Sequence, residues 1–172
     1  MRRATKIQAA GSFDASGAID RVVLDADERH RRRVVLTGEQ GTKFLLDLDY
    51  AVALKDGDGL VLDDGAVVTV AGRAEPLIEI EAKSPLDLVR LAWHLGNRHT
   101  QVEIVGGKLR IRRDHVLESM VAGLGGTLTL IEAPFEPEAG AHRHAQGEHA
   151  HDHAPADHEH GAHAHADYQY DP

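Results

Sequence analysis

A chain of 172 residues has room for one medium domain, or for two small ones and a tail; with 42% hydrophobic but only 4% aromatic residues, its core must be built from Val, Leu, Ile and Ala. The absence of cysteine excludes thiolate zinc sites, iron–sulfur clusters and disulfides, and argues against Cu(I). The net charge of −9 is uneven: residues 136–172 carry eight carboxylates against the single Arg143, and the nearly neutral remainder lacks the basic footprint of a nucleic-acid binder.

Residues 1–73 read as all-β. Short β-branched or leucine-rich runs occupy 19–24, 33–36 and 43–48. Runs at 60–62 and 66–70 flank Asp63-Asp64-Gly65, a hairpin signal, and Asp56-Gly57-Asp58-Gly59 is a further turn. The expected product is a small β-sandwich or barrel-like domain. Within it, Glu28-Arg29-His30-Arg31-Arg32-Arg33 is the one basic cluster. A solvated strand edge explains it most simply, since charge on edges discourages aggregation; docking to an acidic partner is the sharper alternative.

The register changes near Arg73-Ala74-Glu75-Pro76. A strand is expected at 77–82, then a helix at 84–95 with Ser84 as N-cap, Pro85 in the first position, Asp87 completing a capping box and Gly96 as the left-handed stop. Runs at 100–105 and 108–112 flank Gly106-Gly107, a two-residue hairpin turn. Asp114 caps a second helix at about 115–124, with apolar positions Val116, Leu117, Met120, Val121 and Leu124, and a last strand covers 127–133. The order βαββαβ is that of the ferredoxin-like split unit. The fold class is thus α+β: an all-β domain over 1–73, a ferredoxin-like domain over 74–137, and a tail over 138–172 expected to be disordered without metal.

On the first helix, Leu88, Leu91, Ala92 and Leu95 form one apolar stripe, and Leu86, Val89 and Trp93 a second beside it. One stripe suffices to cover a sheet, so the second suggests a partner surface and a homodimer, the alternative being a single broad core face. His94, expected to be exposed on the polar face, His99 just after the helix, and His115 at the start of the next helix are candidate ligands. A twofold axis close to His99 would place two imidazoles on one ion, leaving waters or tail histidines to complete the shell.

The tail holds nine of the thirteen histidines: His142, His144, His149, His151, His153, His158, His160, His163 and His165. All belong to His-x-His spacings, which place side chains on one side of an extended chain about 7 Å apart. Neutral imidazole with carboxylate help suits Ni(II), Cu(II) or Zn(II), and ligation must weaken below about pH 6.5, where an ordinary histidine protonates. No P-loop, catalytic triad or paired-carboxylate arrangement is present, so no enzyme is expected. No segment reaches the roughly 20 apolar residues of a membrane span, and no secretory leader is visible; a cytoplasmic location follows by default.

Trp93-His94-Leu95-Gly96-Asn97-Arg98-His99 resembles the signature of the urease accessory protein UreE family, and Arg113-Asp114-His115-Val116-Leu117-Glu118 resembles its second conserved segment. The Arg-rich strand at 29–33, the hairpin at 63–65 and the histidine-rich end fit the same layout. The resemblance implies a homodimeric nickel metallochaperone that works with the urease apoprotein and the GTP-hydrolysing urease accessory protein. It also implies a β domain similar to the peptide-binding domain of a heat-shock co-chaperone, and a ferredoxin-like domain that forms the dimer. By that resemblance His99 binds Ni(II) at the dimer interface, with Zn(II) or Cu(II) able to occupy the same ligands in vitro. His94 matches a nearby surface histidine, and His115 a peripheral ligand of some members. Some relatives have a further histidine where this chain has Arg113, which shifts weight to the tail. Two other functions stay open: a Ni/Zn buffer without a delivery partner, and a peptide-binding module whose tail is incidental.

Overall fold

The structure is a computed structural model that describes residues 1–138. The nine histidines from His142 to His165, and the disorder expected of the tail from 139 onward, lie outside the described residues.

Six strands form the first sheet: β1 (Arg2–Gln8), β2 (Asp20–Leu24), β3 (His30–Thr37), β4 (Lys43–Ala53), β5 (Gly59–Leu62) and β6 (Val67–Gly72). Their order is β2-β6-β5-β1-β4-β3. This is one continuous mixed sheet, with β1 parallel to β4 and β2 parallel to β6, in place of the two stacked sheets of a sandwich. It curls over a single core: Leu24 on one edge strand and Leu36 on the other share that core with Phe44, Leu46, Leu60 and Val68.

The curl is pinned at one end by the buried Asp20. Its carboxylate accepts the backbone N–H groups of Arg21, Gln40 and Thr42 at 2.7, 2.9 and 2.9 Å, while Glu39 N donates to Arg21 O at 2.9 Å. The loop following β3 is thereby tied to β2. Gly38 is required there, because a Cβ on it would lie 2.2 Å from Asp20 Oδ2. Burial opposes the Asp20 charge, but the three N–H donors and the Thr42 hydroxyl outweigh it and lower its pKa to about 2.

Two features of this sheet escape the periodicity argument. Strand β1 lies inside the sheet yet buries fully only Ala4, its other side chains being largely charged or polar. The single-turn helix α1 (Ala26–Arg29) interrupts the all-β reading; it has a reciprocal capping box in which Asp25 accepts Glu28 N and Glu28 accepts Asp25 N.

The second sheet contains β7 (Ala74–Glu81), β8 (Glu103–Val105), β9 (Lys108–Arg112) and β10 (Thr127–Pro134) in the antiparallel order β10-β7-β9-β8. Helices α2 (Pro85–Gly96) and α3 (His115–Gly123) complete a βαββαβ sequence. The whole described chain is therefore mostly β, with two sheets and few helices. Leu91, Leu95 and Val121 from the helices pack on Ile78, Ile80, Leu109 and Ile111, giving this sheet its own core. The Gly106-Gly107 hairpin forms with φ of 56° and 80°, as a type I′ turn requires. Ser84 caps α2 as expected, accepting Asp87 N at 3.2 Å. The capping box, however, is not closed: Asp87 accepts the Ser84 hydroxyl at 2.7 Å, not the Ser84 N–H, because its side chain is one methylene shorter than glutamate.

Arg29 corrects the solvated-edge reading for one member of the basic cluster. It is only 2% exposed; it donates to Leu54 O and Phe135 O, and pairs with Glu136 Oε1 at 2.9 Å. Phe135 is fully buried beneath the Arg112 guanidinium, 5.3 Å from the ring centre, and Arg112 in turn binds Glu75 at 2.9 Å and Asp27 at 3.1 Å. The two sheets are joined through this polar knot. Arg31, Arg32 and Arg33 remain exposed on the edge strand. Among the described residues no helix is long and apolar enough to cross a membrane.

Candidate metal centre

The end of α2 is built differently from the sequence expectation. Gly96 stays helical and Asn97 is right-handed; the left-handed residue is His99, at φ 54°. Thr100 N donates to Leu95 O at 3.3 Å and His99 N to Gly96 O at 2.9 Å. These bonds make a Schellman motif with His99 in the position that glycine usually holds. Histidine enters this region more readily than most side chains, but at a cost that glycine avoids. The turn fixes the backbone of His99 while leaving the residue exposed.

His94 is half-buried, not exposed as expected. Its ring meets the Trp93 indole edge-on, with centroids 4.9 Å apart and planes at 80°, and Arg98 Nη1 donates to its carbonyl at 3.0 Å. His115 is exposed in the first position of α3, where Asp114 caps by accepting Val116 N and Leu117 N at 2.8 and 3.0 Å. Arg113, in place of a histidine, leans toward Glu118 at 3.5 Å.

His94, His99 and His115 do not come together: among the described residues no three His, Asp or Glu side chains gather into a cage for a metal ion. Any ligand set that includes His99 therefore needs ligands from elsewhere.

The second apolar stripe of α2 is exposed in full, with Leu86 at 59%, Val89 at 65% and Trp93 at 64%. Spacings of three and four residues align them on one helix face, apart from Leu91 and Leu95, which face the core. On α3, by contrast, the apolar period overstates burial. Val121 is buried and Leu117 and Met120 pack against the core, while Val116 and Leu124 are exposed. Val116 joins the group of large apolar side chains without a cover, which helical period alone could not separate from the core.

Comparison with known proteins decides the family. The UreE urease accessory protein N-terminal domain model matches residues 2–72, and the C-terminal domain model matches residues 75–166. The chain belongs to the UreE urease accessory protein family. A UreE of Bradyrhizobium sp. (strain BTAi1 / ATCC BAA-1182) is 54% identical over 155 residues, covering 88% of this chain and 75% of that protein. One from Rhodopseudomonas palustris (strain BisB18) is 56% identical over 142 residues, covering 83% and 67%. A third, from Chelativorans sp. (strain BNC1), is 46% identical over 152 residues and covers 88% of this chain and 94% of its own length. The Trp93–His99 motif that carries the UreE resemblance thus begins at the last residue of the exposed stripe and ends at the left-handed residue of the turn.

Proposed function

We propose that this UreE-family protein is a nickel metallochaperone in urease maturation, binding Ni(II) through His99 and passing it on for assembly of the urease metallocentre. The observation that carries this reading is His99 itself, an exposed imidazole held by a left-handed turn at the end of a helix with an unpartnered apolar face. A twofold dimer across Leu86, Val89 and Trp93 places the two copies of that helix together. It can thus bring two His99 rings to one ion.

Two imidazoles leave most of a nickel shell to water. Such a site retains the ion yet lets incoming ligands enter and displace it stepwise. Transfer is ligand exchange without covalent chemistry, so the protein is a carrier and not an enzyme. His94 and His115 are secondary candidates, and the nine histidines from His142 to His165 form the reservoir. The delivery partners are the urease apoprotein and the accessory GTPase, in the cytoplasm.

Nickel stoichiometry by equilibrium dialysis tests the reading, on the intact chain and on a chain ending at Glu138, with mass in solution for both. The expected result is about one Ni(II) per truncated dimer, lost on substitution of His99. Loss of all nickel on truncation would instead favour a Ni/Zn buffer centred on the tail.

A further inference from the structure

We infer that the outer edge of β3, at its Arg31–Arg33 end, is a docking strip for an acidic, extended segment of a partner protein that joins the first sheet as an added strand. This holds whether or not His99 binds nickel.

The backbone provides the opening. β3 is terminal in the strand order, and among the described residues its pairing does not continue into β2 beyond the single Glu39 N to Arg21 O bond at the far end. An eight-residue edge is long enough to template another strand. Side chains provide the recognition. The register shift between Arg31 and Arg33 breaks the in–out alternation, so three consecutive arginines are exposed.

Their contacts within the chain are long: 3.5 Å from Arg31 to His30 O, 3.3 Å from Arg32 to Leu48 O, and 3.5 Å from Arg33 to Asp47. Asp47 is shared with Arg3 at 3.6 Å. Among the described residues, Arg3 and Arg33 share the single Asp47 carboxylate, and neither Arg31 nor Arg32 is paired with an acid. The nearby acids of α1 and its cap are engaged elsewhere, Asp25 and Glu28 by Arg73 and Asp27 by Arg112.

Edge protection accounts for charge and for a bulge. It does not account for guanidinium in place of lysine, nor for the exposed Tyr50 (72%) and Val35 (46%) on the same pair of strands. Arginine forks match carboxylates in two-point contacts, and arginine with tyrosine is the composition of interfaces, where lysine is depleted.

The test uses the full-length chain and a short fluorescent peptide of alternating Glu and Val, with a Lys–Val peptide as control. Anisotropy should show saturable binding of the Glu–Val peptide alone. Binding should weaken on the order of tenfold in R31Q/R32Q/R33Q, and less in the triple lysine variant that keeps the charge. Bound peptide should slow amide hydrogen exchange within β3. Should the glutamine variant misfold, V35T/Y50S serves in its place and should weaken binding several-fold. Unchanged affinity in the folded variants overturns the proposal, as does binding without slowed exchange in β3 or equal binding of the Lys–Val peptide.

Discussion

At position 99 the backbone and the imidazole make opposite demands. The Schellman turn would be best served by glycine, and a ligand role needs histidine. His99→Gly should therefore leave the unfolding free energy unchanged or raise it by up to about 1 kcal/mol, while removing the nickel retained by the truncated dimer. Denaturant unfolding and dialysis on the same sample check both halves; a large loss of stability would mean that the ring is a packing residue. The left-handed residue was not legible from residue types, because Gly96 is the usual stop signal; only the hydrogen bonds from Thr100 and His99 reveal the longer turn. Asp20 is the other residue with leverage. Its pKa is lowered in the folded state, so its contribution to stability is present above the unfolded value of 3.8 and is lost as pH falls toward 2. Asp20→Asn should cost on the order of 1–3 kcal/mol near neutral pH, and its unfolding midpoint should converge with that of the parent chain near pH 2.

Among the elements, α2 carries the most consequence. Its two apolar stripes were readable from spacing, because 86, 89 and 93 cannot share a face with 91 and 95. The core stripe builds the fold, and the exposed stripe is free to build an assembly. Val89→Glu should leave helix content and thermal stability near those of the parent, since the side chain is solvated, but should shift mass in light scattering from dimer to monomer; an unchanged mass would place the dimer elsewhere. The Gly106-Gly107 and Asp63-Asp64-Gly65 turns were equally legible, since each has its own local chemistry. Strand β1 was not. It owes its place to backbone pairing with β4 and β5, and its exposed residues Arg2, Arg3 and Lys6 hide the single buried Ala4 from any hydrophobic pattern.

At the scale of the whole molecule, the Arg29–Phe135–Glu136 knot makes the two sheets interdependent. Sequence reasoning could assign Arg29 only to a basic run, because Phe135 and Glu136, its partners beside the second sheet, lie more than a hundred positions away. Arg29→Ala removes the cation from a pair whose arginine side is buried and should cost on the order of 3 kcal/mol. Denaturant unfolding should then separate into two transitions, one for each sheet, where the parent is expected to unfold in one. The candidate metal centre has a similar limit. Its anchoring histidine and its apolar face are local in sequence, but completing it depends on groups that the body of one chain does not assemble.

Trp93 is the only tryptophan in the chain, and it stands on the exposed stripe beside His94. An indole placed there is an optical reporter supplied by the sequence. Its emission belongs to water in a lone protomer and to an apolar surrounding once the stripe is covered, so assembly of the unlabelled, nickel-free protein can be followed by its emission wavelength.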